Sequence, residues 1–144
     1  MTALEFGGER QSGRPKRNLR EAIIRGFLGR CPKCGEGKLF RSYARVVDNC
    51  AVCGEDLSHH RADDLPAYLV IVIIGHIVFG GFMAVEASVA MEMWQHLAIW
   101  VPVTIVSSLL WLQPIKGAVV GLQWANYMHG FGDEKDMIES HPEA

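Results

Sequence analysis

Basic residues are nearly missing from the second part of this chain: twelve of its fourteen Lys and Arg precede Leu65. Charge of either sign is missing altogether from Leu65 to Val85, an interval whose only strongly polar side chain is His76. Cysteine is scarce, with four residues in 144, too few for a secreted disulfide scaffold. The N-terminus has no short apolar stretch ending in small residues, so a cleavable signal and export of the N-terminal half are not expected. Catalytic patterns are lacking too. No Ser-His-Asp set, phosphate-cradling glycine loop or pair of catalytic carboxylates can be argued from spacing, and the expectation is a protein without enzymatic activity.

What is present is segregated. The chain has 144 residues and 16.0 kDa, room for one small domain or two very small pieces. It is 49% hydrophobic yet 21% charged, and the two classes sit in different stretches. Residues 1–18 are polar and glycine-rich, a composition that predicts a disordered tail. Asn18 to Arg30 mixes Leu19, Ile23, Ile24, Phe27 and Leu28 with Arg20, Arg25 and Arg30, which reads as a short basic-faced helix or as a lead-in touching anionic headgroups. Residues 1–30 are therefore taken together as a basic lead-in.

All four cysteines lie between 31 and 53, as Cys31-Pro32-Lys33-Cys34-Gly35 and Cys50-Ala51-Val52-Cys53-Gly54. The spacing C-x2-C-x15-C-x2-C is that of a four-thiolate zinc site. Two residues between paired cysteines let one tight turn present both sulfurs to a tetrahedral ion, and a glycine after each pair supplies the positive φ that closes such a turn. The intervening Lys38 to Asp48 favours strand. Disulfides or a thioredoxin-like redox pair would use the same residues, but a cytosolic setting opposes the first and the absence of a βαβ pattern the second, and an iron site is a further alternative to zinc. A closed set of four thiolates stabilises structure and leaves no open position for water. So short a module, 31–60, is expected to need the metal in order to fold. His59 and His60 read as spare ligands or, more simply, as linker residues.

The 21 uncharged residues from Leu65 to Val85 are enough for roughly 30 Å of hydrocarbon. A second apolar stretch, Leu97 to Ile115, has Trp94, Trp100 and Trp111 near its ends and Lys116 closing it, with Pro114 expected to break the helix. Residues 61–116 thus form a hairpin with spans at about 65–88 and 97–115. Gly117 to Phe131 is too short to cross and reads as an amphipathic helix at the interface or against the others, ahead of an acidic disordered tail, 132–144. Because basic residues stay in the cytoplasm, both termini are expected there and the 86–96 connector outside.

Four polar groupings remain. His76, Gly80, Ala84 and Ser88 recur every four residues, a face of small side chains through which the spans would pack. His76 then lies level with Thr104, and Thr104 or Ser108 could accept its interhelical hydrogen bond; the other reading is a functional intramembrane site. Met91, Met93 and His96 at the hairpin tip have the soft donors that suit copper, or are ordinary packing. Asp63, Asp64, Gln113, Lys116 and Gln123 fall at the cytoplasmic boundary as a docking cluster or a solvated linker.

The ordered motifs Cys-Pro-Lys-Cys-Gly-Glu-Gly-Lys-Leu-Phe, Cys-x-x-Cys-Gly-Glu-Asp-Leu, Ala-Asp-Asp-Leu-Pro-Ala-Tyr, Gly-His, Leu-Gln-Pro-Ile-Lys-Gly and Gln-Trp-Ala resemble the bacterial membrane family called domain of unknown function 983, over about Arg25 to Phe131. The resemblance implies a bacterial inner-membrane protein with a zinc-ribbon-like N-terminal part. It also implies a link to cytochrome c oxidase or its assembly factors, whose genes often neighbour those of the family. The expected fold is a membrane α-helical hairpin of two transmembrane helices plus an interfacial C-terminal helix, with a small N-terminal zinc-ribbon-like β module. The expected function is a non-enzymatic adaptor or assembly factor with structural Zn2+, whose partners are lipid and another membrane protein. Copper handling is the alternative. Nucleic-acid binding is disfavoured, since residues 1–64 balance twelve Lys and Arg against nine acids.

Overall fold

The computed structural model describes residues 15–59, 64–128 and 131; the expectations for His60, Asp63, the first fourteen residues and the acidic tail lie outside them. The order of elements is α1 (Leu19–Phe27), β1 (Phe40–Ser42), β2 (Arg45–Val46), α2 (Asp64–Ser88) and α3 (Met93–Ala125).

Local chemistry sets the ends of α1. The Asn18 side chain accepts from the Glu21 N–H at 3.4 Å, and Glu21 pairs with Arg25 one turn on. At the other end Gly29 takes φ 72°, while Gly29 N–H donates to Gly26 O and Arg30 N–H to Arg25 O, both at 2.9 Å. This is a Schellman stop, which needs a residue free to adopt the left-handed conformation. The face α1 buries consists of Ala22 and Gly26, small side chains that admit another backbone.

The stretch expected to favour strand forms a β-hairpin. β1 and β2 pair antiparallel, and the chain reverses at Tyr43 and Ala44, the latter at φ 52°.

Helices α2 and α3 are both long and apolar enough to cross a membrane. Only 11% of the apolar window of α2 and 6% of that of α3 is buried, so the described residues leave these faces uncovered. Their contact seam joins Val70 and Ile74 of α2 to Ile115 of α3, and continues where Gly81 lies under the Trp100 ring.

Two corrections follow. First, α3 does not end at Pro114. It runs 33 residues through Pro102 and Pro114, so the segment from Gly117 to Ala125 is the last part of α3, and the described residues form no separate interfacial helix. A proline deprives only the carbonyl four residues back of its donor, and packing of the following turns outweighs that loss. At roughly 1.5 Å per residue α3 is about 50 Å long and α2, with 25 residues, about 37 Å, so α3 extends some 12 Å beyond the hairpin. Second, the small face of α2 is not the packed one. His76 is two residues, about 200°, from Ile74 and faces away from the seam, and nothing lies within 4 Å of where a Cβ on Gly80 would stand.

The extension of α3 carries the other elements. Gly117 and Gly121 sit one turn apart against Gly26 and Ala22 of α1, each so close to the opposite backbone that a Cβ would overlap its carbonyl oxygen. Small residues at this spacing let two helices cross nearly backbone to backbone. Around the crossing, Leu39, Val46 and Leu57 of the cysteine module, Ala22 of α1, and Val119, Val120 and Trp124 of α3 form one buried core.

Candidate metal centre

The two cysteine pairs fold into matching knuckles. In the first, Gly35 N–H donates to Cys31 O at 2.9 Å and Gly35 takes φ 73°; in the second, Gly54 N–H donates to Cys50 O at 3.0 Å and Gly54 takes φ 72°. Each turn returns across an antiparallel bridge, Arg30 to Lys38 and Asn49 to Asp56. Cys31 N–H donates to Gly37 O at 2.8 Å, and Cys50 N–H to Glu55 O at 2.9 Å. Gly37 is an obligate glycine, because a Cβ there would strike Cys50 Sγ.

The four Sγ atoms lie within 4.8 Å of one another. Cys31 and Cys53 are 3.7 Å apart, as are Cys34 and Cys50. A tetrahedron with metal–sulfur distances near 2.3 Å has sulfur–sulfur edges of roughly 3.8 Å, so these two edges match it and the donor set can hold a four-coordinate ion such as Zn2+. All four thiols are free of disulfides. His59 does not join them: its Nε2 is 3.2 Å from Asp56 Oδ2, and its ring meets the edge of Phe131.

The thiols are electrostatically unequal. Burial pushes Cys31 up to about 12, whereas the backbone N–H groups of Gly37 and Glu36 hold Cys34 down to about 6. Burial also raises Cys53. At Cys50 burial is the largest influence, but the N–H groups of Cys53 and Val52 and the neighbouring thiols together outweigh it, and the thiol is lowered. Metal binding must therefore displace a tightly held proton at Cys31.

A polar clasp ties the second knuckle to the end of α3. Glu55 accepts from Lys33 Nζ at 2.8 Å and from Trp124 Nε1 at 2.9 Å. Burial works to raise the Glu55 carboxyl, but these two donors with Arg17 win and hold it below the ordinary carboxylate range. The Arg17 guanidinium donates to Trp124 O at 2.6 Å and stacks over the Trp124 and Tyr127 rings at 4.1 and 3.9 Å. Tyr127 ends α3 at φ 55°, a conformation that glycine usually supplies, and its hydroxyl donates to Pro15 O at 2.6 Å. Sequence reasoning passed over Arg17, Glu55 and Trp124. Pairing across such sequence separations leaves no local pattern, although the Gly117-x3-Gly121 repeat was readable.

The remaining candidates do not assemble. His76 is exposed and its Nδ1 contacts Val72 O of the same helix at 2.6 Å; Thr104 donates to Trp100 O at 2.7 Å, likewise within its helix. Ser108 is half-buried. At the tip, Met93 is 75% exposed and Met91 half-buried, while His96 is buried against the Phe82 ring. His96 Nε2 comes within 2.8 Å of Glu86 Oε2 without hydrogen-bond geometry, so the contact is one of proximity alone. Gln123 belongs to the buried interior, Asp64 is exposed, and Gln113 and Lys116 are half-buried, so these residues do not form one surface cluster.

No curated protein and no solved structure matches this chain. One family, described as "Protein of unknown function (DUF983)", matches residues 40–124, from the start of β1 through the second cysteine pair and both long helices to Trp124. Cys31 and Cys34 lie just ahead of that stretch. Since the match covers more than half of the chain, the protein belongs to the DUF983 family.

Proposed function

We propose that this protein is a two-pass membrane anchor that holds a zinc-loaded cysteine module at the cytoplasmic face of a bacterial inner membrane and presents it to another membrane protein. The observation that carries this reading is the seating of the cysteine tetrad on the part of α3 that outruns α2. A module fixed there rides at the end of the apolar hairpin, held by the core of Leu39, Leu57 and Val120 and by the Glu55–Trp124 clasp. Two uncovered apolar helices favour hydrocarbon as their surroundings, and the basic residues ahead of Leu65 favour the cytoplasm for the module. Four thiolates complete the coordination of a tetrahedral ion, which makes the metal a structural element and the protein an adaptor without catalysis of its own.

The client, on the resemblance drawn above, is a respiratory oxidase of the cytochrome c type during assembly. Copper handling has no contact in its favour, since Met93 faces outward while His96 turns to Phe82. Affinity purification in mild detergent, with identification of co-purifying membrane proteins and metal analysis, tests the proposal. It expects close to one zinc per chain and an oxidase subunit or assembly factor in the eluate. A reduced, metal-free protein would sink it, as would a reporter fused ahead of Cys31 that is active outside the cell.

A further inference from the structure

The hairpin does not stand clear of α3. The Tyr43 hydroxyl at its turn donates to Leu109 O, one residue before the carbonyl that Pro114 leaves without a helical donor. Leu109 and Leu110 are themselves exposed and belong to the apolar window of α3, so the turn of a polar module reaches alongside a lipid-facing helix. Between them lies an open groove of about 380 Å³ lined by Phe27, Leu28, Phe40, Tyr43, Leu109 and Leu110. A second groove of about 620 Å³ adjoins it, sharing Leu28, Gly29, Phe40 and Gln113, and is lined by Arg30, Lys38 and one acid, Glu36. The backbone bridge between Arg30 and Lys38 sets these two cations side by side, and both are exposed.

We infer that this pair of grooves binds one anionic phospholipid of the membrane, with an acyl chain against Phe27, Phe40 and Leu110 and the headgroup phosphate between Arg30 and Lys38. The inference rests on the membrane reading proposed above. Charge and polarity change along the groove in the order that such a lipid presents: apolar beside the apolar window of α3, cationic beyond it. Tyr43 stands at the junction, where an amphipathic ring suits the boundary between hydrocarbon and water. Arg41 and Arg45 add exposed positive charge on the same hairpin, which favours an anionic headgroup over a zwitterionic one. A lipid seated there would pin α1, the hairpin and α3 together, and so tie the orientation of the cysteine module to the bilayer.

The test uses the full chain reconstituted in vesicles of equal parts phosphatidylglycerol and phosphatidylcholine, extracted in mild detergent, with retained lipid quantified by mass spectrometry. The wild-type protein is expected to retain phosphatidylglycerol preferentially. Arg30→Gln with Lys38→Gln is expected to lower that retention roughly tenfold or more, since each cation at an anionic surface contributes on the order of fivefold. Arg41→Gln with Arg45→Gln removes the same charge nearby and is expected to change retention much less. Equal losses in the two double variants would mean diffuse attraction and overturn the site, as would equal retention of both lipids by the wild-type protein. Metal content reports folding in every variant. If the Arg30 and Lys38 variant loses its metal, Leu110→Trp decides instead: filling the apolar groove is expected to expel the lipid with metal retained, and unchanged retention overturns the proposal. Recovery of the protein in the soluble fraction without detergent would be a different failure, that of the membrane anchor.

Discussion

Gly26 and Gly117 meet backbone to backbone: a Cβ placed on either would overlap the carbonyl oxygen of the other. Neither carbonyl can yield without shifting its helix, so the crossing of α1 over α3 tolerates no side chain at these positions. Gly117→Ala is expected to destabilise the protein by about 1–3 kcal/mol, the usual cost of overpacking. Gly80→Ala, whose new methyl meets open space, is expected to be neutral or slightly stabilising. Thermal unfolding in detergent compares the two, and equal effects would refute the crossing.

The unequal thiols give an order of reactivity in metal-free, reduced protein. At neutral pH Cys34, held down to about 6, is mostly thiolate, while Cys31, pushed up to about 12, is fully protonated. Because only the thiolate attacks, alkylation followed by peptide mass spectrometry is expected to label Cys34 first and Cys31 last.

Acid should release the metal and unlock the knuckles together. The folded pKa of Cys34 is depressed, so its contribution to stability is full above the ordinary thiol value and fades as pH falls through about 6. Protons compete with the metal for all four thiolates, so bound metal is expected to be retained at pH 7.5 and lost on titration with acid. Glu55, also depressed, keeps its share until pH falls below the ordinary carboxylate range, so the clasp is expected to outlast the metal. Fluorescence of Trp124 in a variant lacking the other tryptophans follows the clasp, while metal release is read with a chelating dye.

The clasp and the core beneath it also predict what metal removal leaves behind. Leu39, Leu57 and Val120 are fully buried without reference to the ion. Chelation is therefore expected to loosen residues 31–37 and 50–54 in hydrogen exchange while β1 and β2 stay docked on α3. Trp124→Ala, which removes the indole from the core and the donor to Glu55, is expected to cost about 3–5 kcal/mol and to release the module altogether.

The two histidines of the hairpin should respond oppositely. His76→Leu removes an exposed ring that contacts Val72 O of its own helix and is expected to change stability by no more than about 0.5 kcal/mol. His96→Ala empties a buried site beside Phe82 and is expected to cost about 1–3 kcal/mol in an unfolding assay.

What this chain determined by itself is whatever depends on neighbours a few residues away. The C-x2-C spacing with Gly35 and Gly54 dictates two knuckles because turn geometry is local, and the uncharged run after Asp64 dictates a long helix because apolar length alone decides it. Tertiary structure decided which faces meet. Nothing in the fourfold spacing of His76, Gly80, Ala84 and Ser88 says that Trp100 would instead settle over Gly81, since the choice between adjacent helix faces is made by the partner's side chains. Nothing in Pro114 says that α3 would continue, because the packing of Gly117, Val120 and Trp124 on α1 and the cysteine module outweighs one missing hydrogen bond. The module looked self-contained and dependent on its metal. Its core proved to be shared with helix surfaces some seventy residues away in sequence, and burial between segments so far apart is a property of the fold that no local pattern encodes.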